Sequence, residues 1–160
     1  MAIGDITSDE KGSGARFNEG KAPVELIPLE LLLPRFKDCN VRPTLRYLAV
    51  WQQGGHVSSL YDAYAALGNL REVVLEEARV FGYGAGKYAP FNWAKGMSWS
   101  VVLGCAVRHI LAMNDGEVLD PESGLPHRGH VACNLRMLMH YADHYPEGDD
   151  RPAALRGDKE

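Results

Sequence analysis

Long apolar runs are missing from this chain. No stretch approaches the ~18 residues of a membrane-spanning helix, so no membrane partner is expected. Cysteine is scarce: Cys39, Cys105 and Cys133 are scattered, odd in number and form no CxxC pair. That pattern argues against a disulfide scaffold and fits a reducing cytoplasm. An excess of basic charge is also absent. Lys and Arg total 17 against 21 Asp and Glu, for a net charge of -4. A binder of duplex nucleic acid would normally carry a basic face. A small anionic ligand is not excluded, because a metal or a few local cations suffice for it. The opening "MAIGDITSDEKG" is too polar for a secretory signal. Familiar catalytic signatures are lacking too. "GYGAGKY" has neither the spacing of a Walker A loop nor a Ser or Thr after its lysine, and there is no GxSxG, HExxH or adjacent His–Asp pair.

What is present is a globular composition, 46% hydrophobic and 24% charged over 160 residues, enough for one domain with a real core. The reading places a flexible polar lead at 1–14, a single domain at 15–145 and a frayed charged tail at 146–160. Period-two alternation is rare, so the fold class is all-α, a compact helical bundle with ligand-binding loops. A short helix is expected near Pro28 and another from Pro43 to Gly54–Gly55. "SSLYDAYAALGN" reads as one or two more helical turns. "NLREVVLEEARVFGYG" is a stronger helix, capped by Asn69 and ended by Gly82 and Gly84. Ser98 is expected to cap a helix that Gly116 stops, and Pro126 opens the last one.

Helical spacing then sorts the polar groups. Leu70, Val73, Val74 and Phe81 form one stripe, and Glu77 falls in its middle. A buried carboxylate there requires a cation, a metal or a strong donor. His109 lies at the edge of the next apolar stripe, where it reads either as a satisfied core histidine or as a ligand. In the last helix His127, His130, Asn134 and Tyr141 run along the flank of Val131, Leu135, Leu138 and Ala142. Just upstream, the acidic loop supplies Glu117, Asp120 and Glu122. Carboxylates with imidazoles suit Mg²⁺, Mn²⁺ or Zn²⁺, and hard oxygen ligands favour the first two. Two loops add ligand-binding side chains. Arg16, Asn18 and Lys21 lie in one; Lys87, Tyr88, Asn92 and Trp93 lie in the other. Arg and Lys hold phosphates, Asn reads a base edge, and Tyr or Trp stacks on a base.

"GARFNEGK", "GYGAGKYAPFNWAKGM" and "RHILAMNDGEVLDPESGLPHRGHVACNL", taken in that order, resemble the phage-type dATP/dGTP diphosphohydrolase N-terminal family. The resemblance implies a MazG-like, metal-dependent hydrolase that converts a purine deoxynucleoside triphosphate and water to the monophosphate and pyrophosphate. It implies Mg²⁺ or Mn²⁺ as cofactor, a homo-oligomer and, for a phage protein, the host cytoplasm. MazG-like enzymes carry EExxE on one helix and ExxD on the next. Here "EEARV" keeps the first two glutamates and has Val80 in place of the third. "HRGH" stands where ExxD would, which puts His127 and His130 at the acidic positions. On that alignment the metal candidates are Glu77, His109, Asp120, His127 and His130. Glu76, Glu77 and Asp120 are the candidates to activate water. Arg16, Lys21 and Lys87 are assigned to phosphate, and Asn18, Tyr88, Asn92, Trp93 and Asn134 to the rest of the nucleotide. The competing expectation is a non-catalytic purine-nucleotide-binding regulatory module that uses the same loops.

Overall fold

A computed structural model of the chain describes residues 2–38 and 40–156; Met1, Cys39 and residues 157–160 lie outside the described residues. The expected all-α bundle forms. Its helices are α1 (Arg42–Gln52), α2 (Ser58–Ala65), α3 (Leu70–Lys87), α4 (Trp99–Asn114) and α5 (His127–His144). The one ladder among the described residues is a two-residue antiparallel pair, β1 (Ala2–Ile3) with β2 (Arg16–Phe17).

Helix α5 is the central element and packs on α2, α3 and α4. Its buried residues run all around the cylinder, from His127 and Val131 to Leu138 and Tyr141. A helix enclosed on every side must satisfy its polar side chains internally. That requirement makes His127, His130 and Asn134 informative. Gly129 sits where α5 crosses α3. A Cβ there would lie 2.9 Å from the Glu76 carbonyl oxygen, so glycine permits the close approach.

Several local expectations are corrected. The helix expected near Pro28 is three 3₁₀ turns, at 24–26, 29–31 and 33–35, with Pro28 between the first two and Pro34 in the first positions of the third. Asn69 caps α3 as expected, accepting the Glu72 N–H at 3.2 Å. Gly82 and Gly84 do not end that helix, which runs on to Lys87. Contacts on either side of the glycines outweigh their cost of about 1 kcal/mol each: Phe81, just before them, packs on Trp93 with ring centroids 5.2 Å apart, and Lys87, beyond them, bonds Glu122 at 2.8 Å. Ser98 makes no side-chain cap. Asp150 takes that part, accepting the Ser100 N–H at 2.8 Å.

The lead and the tail are both docked where described. Gly12 N–H and Gly14 N–H bond the carbonyls of Lys95 and Gly96 at 2.6 and 2.9 Å. In the tail, the Arg151 guanidinium lies 4.6 Å from the Trp51 ring and 5.1 Å from the Trp99 ring. Leu70, at 67% exposed, leaves the expected α3 stripe, which is instead Val73, Glu77 and Val80.

Candidate functional site

The C-terminal half of α3, the loop after it, the N-terminal loop and the facing sides of α4 and α5 enclose a cavity of about 820 Å³. That is the size range of small-molecule sites. Eleven of the expected site residues line it: Arg16, Lys21, Lys87, Tyr88, Asn92, Trp93, His109, Asp120, His127, His130 and Asn134. One wall is aromatic, with Phe81 and Phe91 each against Trp93.

At one end three imidazoles gather. His109 from α4 stacks on His130 with ring centroids 4.3 Å apart and planes 8° apart. His109 Nδ1 lies 2.8 Å from His127 Nδ1. His127 Nε2 is 3.1 Å from Glu117 Oε1, and His130 Nε2 is 2.7 Å from Ser123 Oγ. Ser123 in turn donates from its hydroxyl and its amide to Asp120 Oδ2, at 2.7 and 2.9 Å. Burial, reinforced by His127, pushes His109 down to about 4. Burial, reinforced by His109, pushes His130 down to about 4 as well. For Asp120 burial acts upward, but the Ser123 hydrogen bonds and His130 outweigh it and the carboxyl is held low. Neutral imidazoles beside an ionised carboxylate are metal-ligand chemistry. One donor atom each from His109, Asp120 and His127 lies within 4.8 Å of the others.

The same cavity is lined by cations that form no ion pair among the described residues. Arg16 bonds Asn134 Oδ1 at 2.9 Å and Met137 Sδ at 3.3 Å. Arg108 bonds the Ala22 carbonyl and Asn18 Oδ1, both at 3.0 Å. Among the described residues no ion pair involves Arg16, Lys21 or Arg108. A cation held in a cavity without a carboxylate is a receptor for an anion.

The structure separates other expected residues from the cavity. Glu76 and Glu77 do not line it. Glu76 accepts two bonds of 2.8 Å from Arg128. Glu77, only 3% exposed, accepts from Arg136 at 3.0 Å and from the Tyr64 hydroxyl at 2.9 Å. The cation that the buried Glu77 required is therefore Arg136, from α5. Val80, in the place of a third glutamate, lines the cavity as an apolar surface. Asn92 lines it too, but its amide is engaged elsewhere. It accepts the Ala15 N–H at 3.0 Å and donates to the Ala15 carbonyl at 2.8 Å, so it holds the N-terminal loop rather than a free base. Asn18 supports Arg108 from outside the lining. Lys87 is paired with Glu122. Tyr88 accepts the Phe17 N–H at 3.1 Å. Sequence reasoning missed Arg108, whose place beside His109 on α4 was a usable signal. It also missed Ser123, which nothing but its nearness to Asp120 marks.

Among known proteins, the family model described as dATP/dGTP diphosphohydrolase, N-terminal, matches residues 58–151. A protein named dATP/dGTP diphosphohydrolase, from Salmonella phage PMBT28, is 27% identical over 150 residues. That alignment covers 92% of this chain and 37% of the relative, so the chain spans well under half of its relative's length. No solved structure matches. The family match takes in α2 to α5, with the imidazole cluster and the aromatic wall inside it. The chain belongs to the dATP/dGTP diphosphohydrolase N-terminal family.

Proposed function

We propose that the cavity binds a purine deoxynucleoside triphosphate, dGTP or dATP, and that the chain hydrolyses it to the monophosphate and pyrophosphate. The observation that carries this reading is the pairing of opposites in one cavity. Arg16, Lys21 and Arg108 form no ion pair among the described residues, and they line the same cavity as an acid–imidazole cluster and an aromatic wall. The relative's name, dATP/dGTP diphosphohydrolase, supplies the substrate class.

In this reading Arg16, Lys21 and Arg108 bind phosphate oxygens, and Phe81, Phe91 and Trp93 offer faces to the purine. His109, Asp120 and His127 would hold a divalent cation, with His130 beside them. Two imidazoles and one carboxylate suit Mn²⁺ or another transition ion better than Mg²⁺, which prefers oxygen ligands. Such a cation, when bound, offsets negative charge on the leaving pyrophosphate and lowers the pKa of a bound water. With Glu76 and Glu77 tied to arginines, Asp120 is the carboxylate left to orient the attacking water. The water oxygen bonds to the α-phosphorus, and the bond from that phosphorus to the bridging oxygen breaks. The cavity is large enough for one nucleotide and is enclosed within one chain. A homo-oligomer and a cytoplasmic setting complete the proposal.

The test is to incubate the purified chain with each dNTP and Mn²⁺ or Mg²⁺ and to resolve the products. Release of orthophosphate instead of pyrophosphate refutes the chemistry. A second reading, a non-catalytic nucleotide-binding module, draws on the arginine-bound state of Glu76 and Glu77, which leaves Asp120 alone of the three expected water-activating acids in the cavity. Tight metal-free dGTP binding in a thermal-shift assay, with no turnover of any purine dNTP, selects it.

A further inference from the structure

We propose that Glu117 and the Ser123–Asp120 pair are positioning groups that fix which ring nitrogens of His127 and His130 carry hydrogen. The proposal deepens the reading of this cluster as a cation site. The hydrogen positions themselves follow from counting donors and acceptors.

Asp120 Oδ2 accepts both the hydroxyl and the amide of Ser123. Ser123 has one hydroxyl proton, and it is spent there. Toward His130 Nε2, 2.7 Å away, Ser123 Oγ therefore acts only as acceptor, as it does toward the Leu125 N–H at 3.2 Å. Hydrogen thus sits on His130 Nε2. Glu117 has only acceptors to offer, so the 3.1 Å contact puts hydrogen on His127 Nε2 as well. Both rings then carry their lone pairs on Nδ1. The 2.8 Å gap between His127 Nδ1 and His109 Nδ1 holds one proton, placed on His109. In the metal-free protein the His127 Nδ1 lone pair is held by the His109 Nδ1–H; a cation taken by His109 and His127 would occupy both Nδ1 lone pairs, and the hydrogen would move to His109 Nε2. Neither Glu117 nor Ser123 has to touch substrate to act. They preset the acceptor side of the imidazoles, as outer partners of metal-binding histidines do.

The experiment uses the full chain, free of metal and nucleotide, with ¹⁵N-labelled histidine. Long-range ¹H–¹⁵N correlation is expected to show hydrogen on Nε2 of His127 and His130, with a slowly exchanging His127 Nε2–H signal. Glu117→Ala should abolish that slow exchange and weaken Mn²⁺ binding, read by electron paramagnetic resonance, about 10–100-fold. Glu117→Gln keeps an acceptor oxygen and should preserve the proton signal. The Glu117 side chain is 49% exposed, so the variants should keep a near-native thermal midpoint. Hydrogen on His127 Nδ1 alone in the unmodified chain overturns the proposal. So does a Glu117→Ala variant with both slow exchange and Mn²⁺ affinity intact. If the unmodified chain binds no Mn²⁺, the cation reading of the cavity fails, and the nitrogen spectra still decide the hydrogen positions.

Discussion

Helix α5 meets carboxylates on two sides and treats them differently. Toward α3 it presents Arg128 and Arg136, which close on Glu76 and Glu77 with charge-assisted bonds of 2.8–3.0 Å. Toward the cavity it presents His127 and His130, which meet Glu117 and Asp120 without any arginine in the contact. The acids on the first side are neutralised and contribute to packing. Of the two acids on the second side, Asp120 is held ionised beside His130, a ring that burial keeps neutral. Acidic residues next to one another in sequence, or near one another in a helical wheel, do not by themselves make a cation site. The partner they meet decides.

The comparison breaks most visibly at Asp120. Asp120→Asn should lower dNTP turnover by more than about 100-fold while the fold persists, because it removes charge from the cavity cluster rather than from the core. Assays of turnover beside circular dichroism check this; an active variant would erase the distinction between the two sides. On the α3 side, Arg136→Ala leaves the nearly enclosed Glu77 without its cation. The expected cost is on the order of 3 kcal/mol in urea unfolding, and replacing both residues with leucine should recover most of it. Arg16→Ala should raise KM for a purine dNTP about 10–100-fold with a smaller effect on kcat, the value of one or two bonds to a charged group. Arg16→Lys should recover only part, since lysine lacks the planar fork.

Two further tests sharpen the contrast at lower amplitude. In metal-free protein His109 and His130 titrate near 4 against 6.5 for an ordinary histidine. Above pH 6.5 their contribution to stability is complete. As pH falls from 6.5 toward 4, the unfolded chain takes up protons that the fold refuses, so stability drops. Urea midpoints measured across that window should fall, and His130→Gln should flatten the slope. The smallest effect belongs to Glu76→Gln. Its pair with Arg128 is partly exposed, so the change should cost about 1 kcal/mol or less and leave turnover within roughly threefold.

Much of this was legible in the sequence, and the omissions have a common cause. Period 3.6 placed Glu77 on a buried face and demanded a partner for it. It did not identify Arg136, which lies 59 residues away and pairs only because α5 runs through the centre. The same pattern set His127, His130 and Asn134 on one flank, and the structure brings that flank to the cavity. Residue type alone misassigned Asn92. An amide that suits a base edge suits a backbone peptide equally well, and the Ala15 peptide occupies it. Gly82 and Gly84 were read as a stop because local propensity was the only information to hand, and packing by Phe81 and Lys87 overrode it. Local rules found the elements and the faces. Long-range pairing, which they do not encode, determined which polar groups were already occupied.

Arg16 and Asn134, which meet on the cavity floor, are separated by 118 residues. Asn92 holds the Ala15 backbone across 77 more. Closing loops of that length carries an entropic penalty that no local element can repay early, so these contacts form late in folding. The helices can assemble around α5 before the N-terminal loop is seated. By the same logic that loop is the first part to come away, in an opening far smaller than global unfolding. The loop proposed to receive the anion is then a late-formed, easily released attachment to the bundle.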